Sequence, residues 1–376
     1  MPDPVLPPFP SDPPRSHEAS GDGSPADLAA DAALPDAGAA RVPRQRPTLI
    51  DAWPWAQPFG LSGGVERGQF HPLLMALLVF VGAFVVFNIV GVIVVVIGTV
   101  ASGEITDPEA FLAENGGLAL GANTLGQWIA FAGIAALMAR WSSPDWKPFL
   151  RWRQPDWAGF GLAALGWAVG YAFVLWLGQV NAALPVPETL REFESMQAEM
   201  LEQLLLGAGL PTWMLFGAIA ITPAVCEELM FRGYLQRQVE RGAGLVWSIV
   251  LVGLLFGAYH LQVTKVLPLG VLGIYLGFVV WATGSVWTGA MVHLLNNGFA
   301  VAAVAFIQSR PEMDMSAVES TSLPWYVGVG SGLLALGVCF LIYSRRRSLV
   351  GDARDAAPAP EAPLSPPSPL APSPYG

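Results

Sequence analysis

The stretch PLLMALLVFVGAFVVFNIVGVIVVVIGTVA, residues 72–101, runs for thirty residues without one Asp, Glu, Lys, Arg or His. About 20 helical residues cross a hydrocarbon core, so this segment reads as a membrane span with length to spare for tilt or a kink. The rest of the chain agrees. Of 376 residues, 53% are hydrophobic and only 13% charged, which is not the composition of an ordinary soluble domain. Seven further apolar segments follow, at about 117–140, 157–184, 211–239, 245–262, 266–284, 286–306 and 325–344. The expected fold is all-α: a polytopic transmembrane helix bundle of about eight spans, occupying residues 72–344.

Outside the spans lie two Pro-rich segments, residues 1–48 and 349–376, poor in aromatic and β-branched residues and expected to be disordered. The first has no apolar run after a basic start, so it is expected to stay on the mature chain. The last residues carry no lipidation box. Basic residues set the orientation. Arg41, Arg44, Arg46 and Arg67 precede the first span, Arg140, Lys147, Arg151 and Arg153 follow the second, Arg237 and Arg241 follow the fourth, and Arg345, Arg346 and Arg347 follow the eighth. The opposite connections hold only Arg191, Lys265 and Arg310 against twelve acids. Both termini are therefore expected in the cytoplasm. A composition rich in Ala, Pro, Gly and Arg points to a bacterial inner membrane.

The net charge of −10 mixes compartments, and no basic face for nucleic acid is apparent. Two cysteines, Cys226 and Cys339, both within apolar runs, build neither a disulfide framework nor a CxxC metal site. Cys226 beside a glutamate pair is a conceivable nucleophile, although a small apolar residue on a packed helix is the plainer reading. Residues 188–206 repeat Leu190, Phe193, Met196, Met200, Leu201 and Leu204 on one helical face. They read as an interfacial helix on the outer surface, or more sharply as a lid over a site.

Polar residues inside the apolar segments carry the functional argument, because charges in a membrane are costly and are functional candidates by default. Three clusters stand on three different spans: EELMFR (Glu227–Arg232), FGAYH (Phe256–His260) and HLLNN (His293–Asn297). Glu228 and Arg232, four residues apart, share a face and can pair. Glu227 points about 100° away from its neighbour and is left to face something else. His293 and Asn297 also share a face. A bundle can gather Glu227, His260, His293 and Asn297 around one cavity. A Glu with a His can hold and deprotonate a water, and a second His with an Asn amide can donate to a developing oxyanion. That chemistry is amide hydrolysis without a covalent intermediate. Zinc uses the same residues, with Glu227, His260 and His293 as ligands and one position for water. No HExxH motif occurs, and the metal stays open. A purely structural ion pair and a core histidine would account for any one cluster, less readily for all three.

In order, EELMFRG, FGAYH and HLLNN resemble the three motifs of the CPBP family of intramembrane proteases, relatives of the CAAX prenyl endopeptidases and of bacterial proteins linked to bacteriocin processing or immunity. The resemblance covers about residues 205–306. It implies a bundle of about eight spans whose cavity opens toward the cytoplasm. It also implies that Glu227 activates water with His260 as partner, that Glu228 and Arg232 support that carboxylate, and that His293 and Asn297 form the oxyanion site. Such proteins are often called metalloproteases, yet the resemblance also implies a glutamate-dependent mechanism that needs no metal.

The expected function is thus an endopeptidase, CAAX-type and glutamate-dependent or metallo-, acting on membrane-associated or lipidated proteins and peptides in the lipid bilayer, with no nucleic acid partner. A non-catalytic or bacteriocin-immunity scaffold and an ion- or proton-coupled transporter are the alternatives. Against the transporter, no inverted repeat and no matching pair of broken helices is visible.

Overall fold

The structure, a computed structural model, describes residues 61–102, 115–202, 209–310 and 322–356. Among them every regular element is helical. The two expected tails lie outside the described residues for 1–48 and from 357 onward, as do residues 203–206 of the predicted interfacial helix. Residues 349–356 differ from expectation: the last helix continues from Trp325 to Ala356, past the point at which the Pro-rich tail was to begin.

Among the described residues seven helices are long and apolar enough to cross a membrane: Pro72–Ala101, Gly116–Ser142, Trp157–Ala182, Thr212–Ala243, Val263–Thr283, Val286–Phe306 and Trp325–Leu349. The protein is an integral membrane protein. The fifth of the eight expected segments, Leu245–Tyr259, forms a helix of only 15 residues, and Val263–Thr283, Val286–Phe306 and Trp325–Leu349 follow it as the sixth, seventh and eighth. At 1.5 Å per residue the fifth rises about 22 Å, short of a hydrocarbon core of about 30 Å. It stops where Leu261 takes φ 55°, the left-handed region, at a cost of roughly 1–2 kcal/mol for a residue with a Cβ.

Non-helical backbone at membrane depth persists only where protein satisfies its polar groups. Here Asn181, buried at the end of the third span, donates to Val263 O (3.0 Å) and accepts from Leu267 N (2.8 Å). Glu194, on the amphipathic helix Glu188–Glu202, accepts from Thr264 N (3.1 Å) and from Thr264 Oγ1 (2.6 Å). The predicted interfacial helix is therefore tied to the turn that follows the fifth helix. Its Phe193, Met196 and Met200 are exposed.

Close backbone contact joins the short helix to the sixth span. A Cβ on Gly273 would lie 2.5 Å from Gly253 O and 2.9 Å from Gly253 Cα, so only small residues permit this crossing. The fourth span packs beside the sixth through polar side chains that reach its carbonyls. Arg232 Nη2 donates to Gly273 O (3.1 Å) and Gln236 Nε2 to Gly277 O (3.1 Å).

At one end of the bundle the basic residues interlock. Arg151 pairs with Glu240 (2.7 Å) and caps Arg232 O (3.0 Å). Arg237 donates to Phe149 O (2.8 Å), Arg241 pairs with Glu66 (2.7 Å), Arg345 with Asp156 (2.8 Å), and Arg346 donates to Trp281 O (3.1 Å). Burial pushes Arg153 down to about 10, opposed by Asp156, which leaves it charged at neutral pH. Burial also lowers Arg151, with Glu240 pulling it back.

Candidate functional site

The fourth span does not run as a regular α-helix. It widens into π-helical turns at Phe216–Ile221 and Leu229–Leu235, and the second span does so at Trp128–Gly133. π turns are rare and gather at functional sites. The first of these has a visible cause. Pro223 has no N–H to offer Ile219 O, its α-helical partner, and that carbonyl instead accepts from Asn297 Nδ2 (3.1 Å) on the seventh span.

Between the two wide turns of the fourth span sit Glu227 and Glu228, 5% and 0% exposed. Arg232 is also fully buried and pairs with Glu228 Oε1 at 2.5 Å, as its four-residue spacing predicts. Its guanidinium lies 4.4 Å from the centre of the Phe256 ring. Breaking a buried pair of this kind leaves an uncompensated charge at a cost of about 3–5 kcal/mol.

His293 Nδ1 lies 3.1 Å from Glu228 Oε1, and its Nε2 lies 3.2 Å from Asn297 Nδ2. Asn297 Oδ1 accepts from Asn296 Nδ2 (3.2 Å), and Asn296 Oδ1 accepts from Trp167 Nε1 (3.2 Å) on the third span. A continuous chain of hydrogen bonds thus links the third, seventh and fourth spans.

His260 stands at the C-terminal cap of the short helix rather than within a span. Its Nδ1 lies 2.8 Å from Phe256 O, and no hydrogen bond joins it to Glu227. Its Nε2 has no hydrogen-bond partner among the described residues. The Phe256 ring is the common wall: His260 and His293 stand edge-on to it at 5.1 and 5.7 Å between centroids. Glu227 is within electrostatic reach of both histidines, of Glu228 and of Arg232. Its Oε2 is buried and makes no hydrogen bond.

All six residues singled out from sequence meet at one place. Sequence reasoning missed three contributors: Trp167, Asn296 and the Ile219 carbonyl. Asn296 stands in the HLLNN cluster itself, and Pro223 in an apolar helix marks a freed carbonyl four residues earlier. Trp167 has no signal of its own. Cys226 is a buried, apolar-packed residue of the core.

The candidate zinc ligands Glu227, His260 and His293, left open by the sequence, are not drawn together. Among the described residues no three His, Cys, Asp or Glu side chains come together as a ligand group. His293 turns one ring nitrogen to Glu228 and the other to Asn297, so neither nitrogen is directed to a site shared with Glu227 and His260.

Fold and site together define an integral membrane protein with an enclosed glutamate–histidine centre. Residues 209–299 match the family model described as type II CAAX prenyl endopeptidase Rce1-like. That segment, about a quarter of the chain, contains Glu227, Glu228, Arg232, His260, His293 and Asn297, and it bears out the resemblance to the CPBP proteases. No curated protein and no solved structure matches the chain.

Proposed function

We propose that this protein is an intramembrane endopeptidase that hydrolyses peptide bonds of membrane-associated or lipidated proteins with a water activated by Glu227. The observation that carries this reading is the contrast within the glutamate pair. Glu228 is neutralised by Arg232 and bonded to His293, whereas Glu227 Oε2 is buried without a hydrogen-bond partner, near a His260 whose Nε2 is also free. A carboxylate oxygen with no donor of its own is left open to take a proton from a bound water.

Glu227 takes a proton from water as the oxygen attacks the scissile carbonyl carbon. It then returns that proton to the leaving nitrogen as the C–N bond breaks. His260, held by Phe256 O through Nδ1, keeps Nε2 for the same water. Of the expected oxyanion pair only Asn297 has an N–H to offer, since His293 gives Nδ1–H to Glu228 and accepts at Nε2, and the Asn297 role requires exchange because its amide is directed to Ile219 O and His293 Nε2. The carbonyl oxygen must replace one of these acceptors as the tetrahedral species forms.

The clustering of arginines at one end supports a cytoplasmic placement of that end, and with it of both termini, in a bacterial inner membrane. The test is cleavage of lipidated and transmembrane peptides by the reconstituted protein and by Glu227→Gln, followed by mass spectrometry with and without chelator. Cleavage that needs Glu227 and survives chelation supports the reading. Turnover retained in the mutant removes Glu227 from the mechanism, and loss with chelator restores the metal reading.

A further inference from the structure

We propose that Trp167 and Asn296 are positioning residues that decide which ring nitrogen of His293 carries the proton. The inference rests on the reading of His293 as part of a hydrolytic site, and its geometry stands without that reading.

The argument is one of polarity. An indole N–H donates and never accepts. Trp167 Nε1, 3.2 Å from Asn296 Oδ1, therefore fixes the orientation of that amide: oxygen toward Trp167, nitrogen toward Asn297. Asn296 Nδ2 then meets Asn297 Oδ1, which fixes the second amide in turn, with Nδ2 toward Ile219 O and His293 Nε2. A ring nitrogen facing an N–H must accept. His293 Nε2 is therefore bare, and the proton sits on Nδ1, where it is donated to Glu228 Oε1. From the far side Arg232, likewise a donor only, gives to the same oxygen. Two obligate donors, Trp167 and Arg232, thus bound a chain in which every intervening group has one permitted orientation.

The chain crosses between elements that share no sequence proximity, and this gives it a purpose beyond packing. Trp167 is on the third span, which contributes no other side chain to the cluster. Its ring is held edge-on by Tyr171 (5.7 Å) and Phe299 (6.3 Å), so the N–H has a fixed direction. Removing that N–H while keeping a ring frees the Asn296 amide to turn over. The inversion reaches His293 when Asn297 turns as well and gives up its bond to Ile219 O, and His293 Nε2 then faces an oxygen and holds a proton.

The full chain has four histidines, so selective ¹⁵N-histidine labelling in lipid nanodiscs gives a countable two-bond ¹H–¹⁵N spectrum. His293→Gln assigns its signal. In the wild type, the expected pattern for His293 is protonated Nδ1 with unprotonated Nε2. In Asn296→Asp, where a carboxylate oxygen replaces the amide that donated to Asn297, Nε2 of His293 moves into the protonated range, and Trp167→Phe moves it in the same direction. The His260 signal, with Nδ1 at Phe256 O, stays in place in both.

A wild-type spectrum with protonated Nε2 on His293 overturns the proposal outright, as does an unchanged His293 signal in both folded variants. A parallel kinetic measurement separates this idea from the protease reading. Asn296→Asp is expected to lower kcat with KM little changed, whereas cleavage that persists in Glu227→Gln would refute the general base while leaving the tautomer result intact.

Discussion

His293 turns its Nδ1 to Glu228 at 3.1 Å and not to Glu227, so the two adjacent glutamates have opposite fates. Glu228 is locked between Arg232 and His293, and Glu227 is left buried with a free oxygen. Glu228→Gln is therefore expected to be a stability mutant. The Arg232 guanidinium, 0% exposed, would lose its carboxylate at a cost of about 3–5 kcal/mol. Glu227→Gln removes a charge that has no ionic partner at hydrogen-bond distance and should fold. Thermal unfolding in detergent separates the two: a melting temperature close to wild type for Glu227→Gln, and a large drop or failure to accumulate for Glu228→Gln. Equal destabilisation would count against the division of labour.

Gly289 faces the same carboxylate. A Cβ there would lie 2.9 Å from Glu228 Oε2, tighter than normal van der Waals contact, with Val280 closing the other side. Gly289→Ala is expected to push Glu228 off Arg232 and lower both stability and turnover. Gly82→Ala, at a position with nothing around it, serves as the control. Wild-type melting and activity in Gly289→Ala would show that the carboxylate has room to move.

Pro223 predicts an effect on chemistry without a loss of stability. Pro223→Ala restores an N–H four residues from Ile219 O, and that carbonyl then has a helical donor in place of Asn297 Nδ2. The variant is expected to melt no lower than wild type while its kcat falls, because Asn297 is no longer held beside His293. A kcat equal to wild type would mean that Asn297 is held well enough by His293 and Asn296 alone.

Asn181 and Glu194 should govern the turn that carries His260. Asn181→Ala leaves Val263 O and Leu267 N without partners, and Glu194→Ala uncaps Thr264. Both are expected to raise hydrogen exchange over residues 260–267 and to reduce kcat, with Glu194→Gln intermediate because its amide oxygen still accepts. Exchange confined to the amphipathic helix in Glu194→Ala, with residues 260–267 as protected as before, would argue that the helix is only a surface feature.

How much of this was legible in the sequence depends on whether the cause was local. The spans could be read because an apolar run such as 72–101 admits one solution in lipid. The Glu228–Arg232 pair could be read because residues four apart share a helical face. The fifth segment was overextended because its apolar character continues past Tyr259, whereas the helix is stopped by Leu261 in a left-handed conformation. The turn that follows is held at Val263, Thr264 and Leu267 by Asn181 and Glu194, more than 60 residues earlier in the chain. The choice of Glu228 rather than Glu227 as the partner of His293 was equally out of reach. Spacing gives the angle between the two glutamates, but not the rotation of the helix after a π turn. Trp167 entered the site by packing alone, and no pattern around it announced that its N–H would meet Asn296.

The wide turn at Leu229–Leu235 also fixes how this segment tolerates change in length. A π turn holds one more residue than an α-helix closing the same loop of backbone, and losing that residue would let the helix tighten and rotate everything after it by about 100°. Gln236, Arg237 and Glu240, which reach Gly277 O, Phe149 O and Arg151, would leave their partners in the same step. The buried glutamates and the arginine-rich end are therefore geared together through one extra residue. Exchanges of side chain are felt one contact at a time across this stretch, whereas a single deletion would throw both ends out of phase at once.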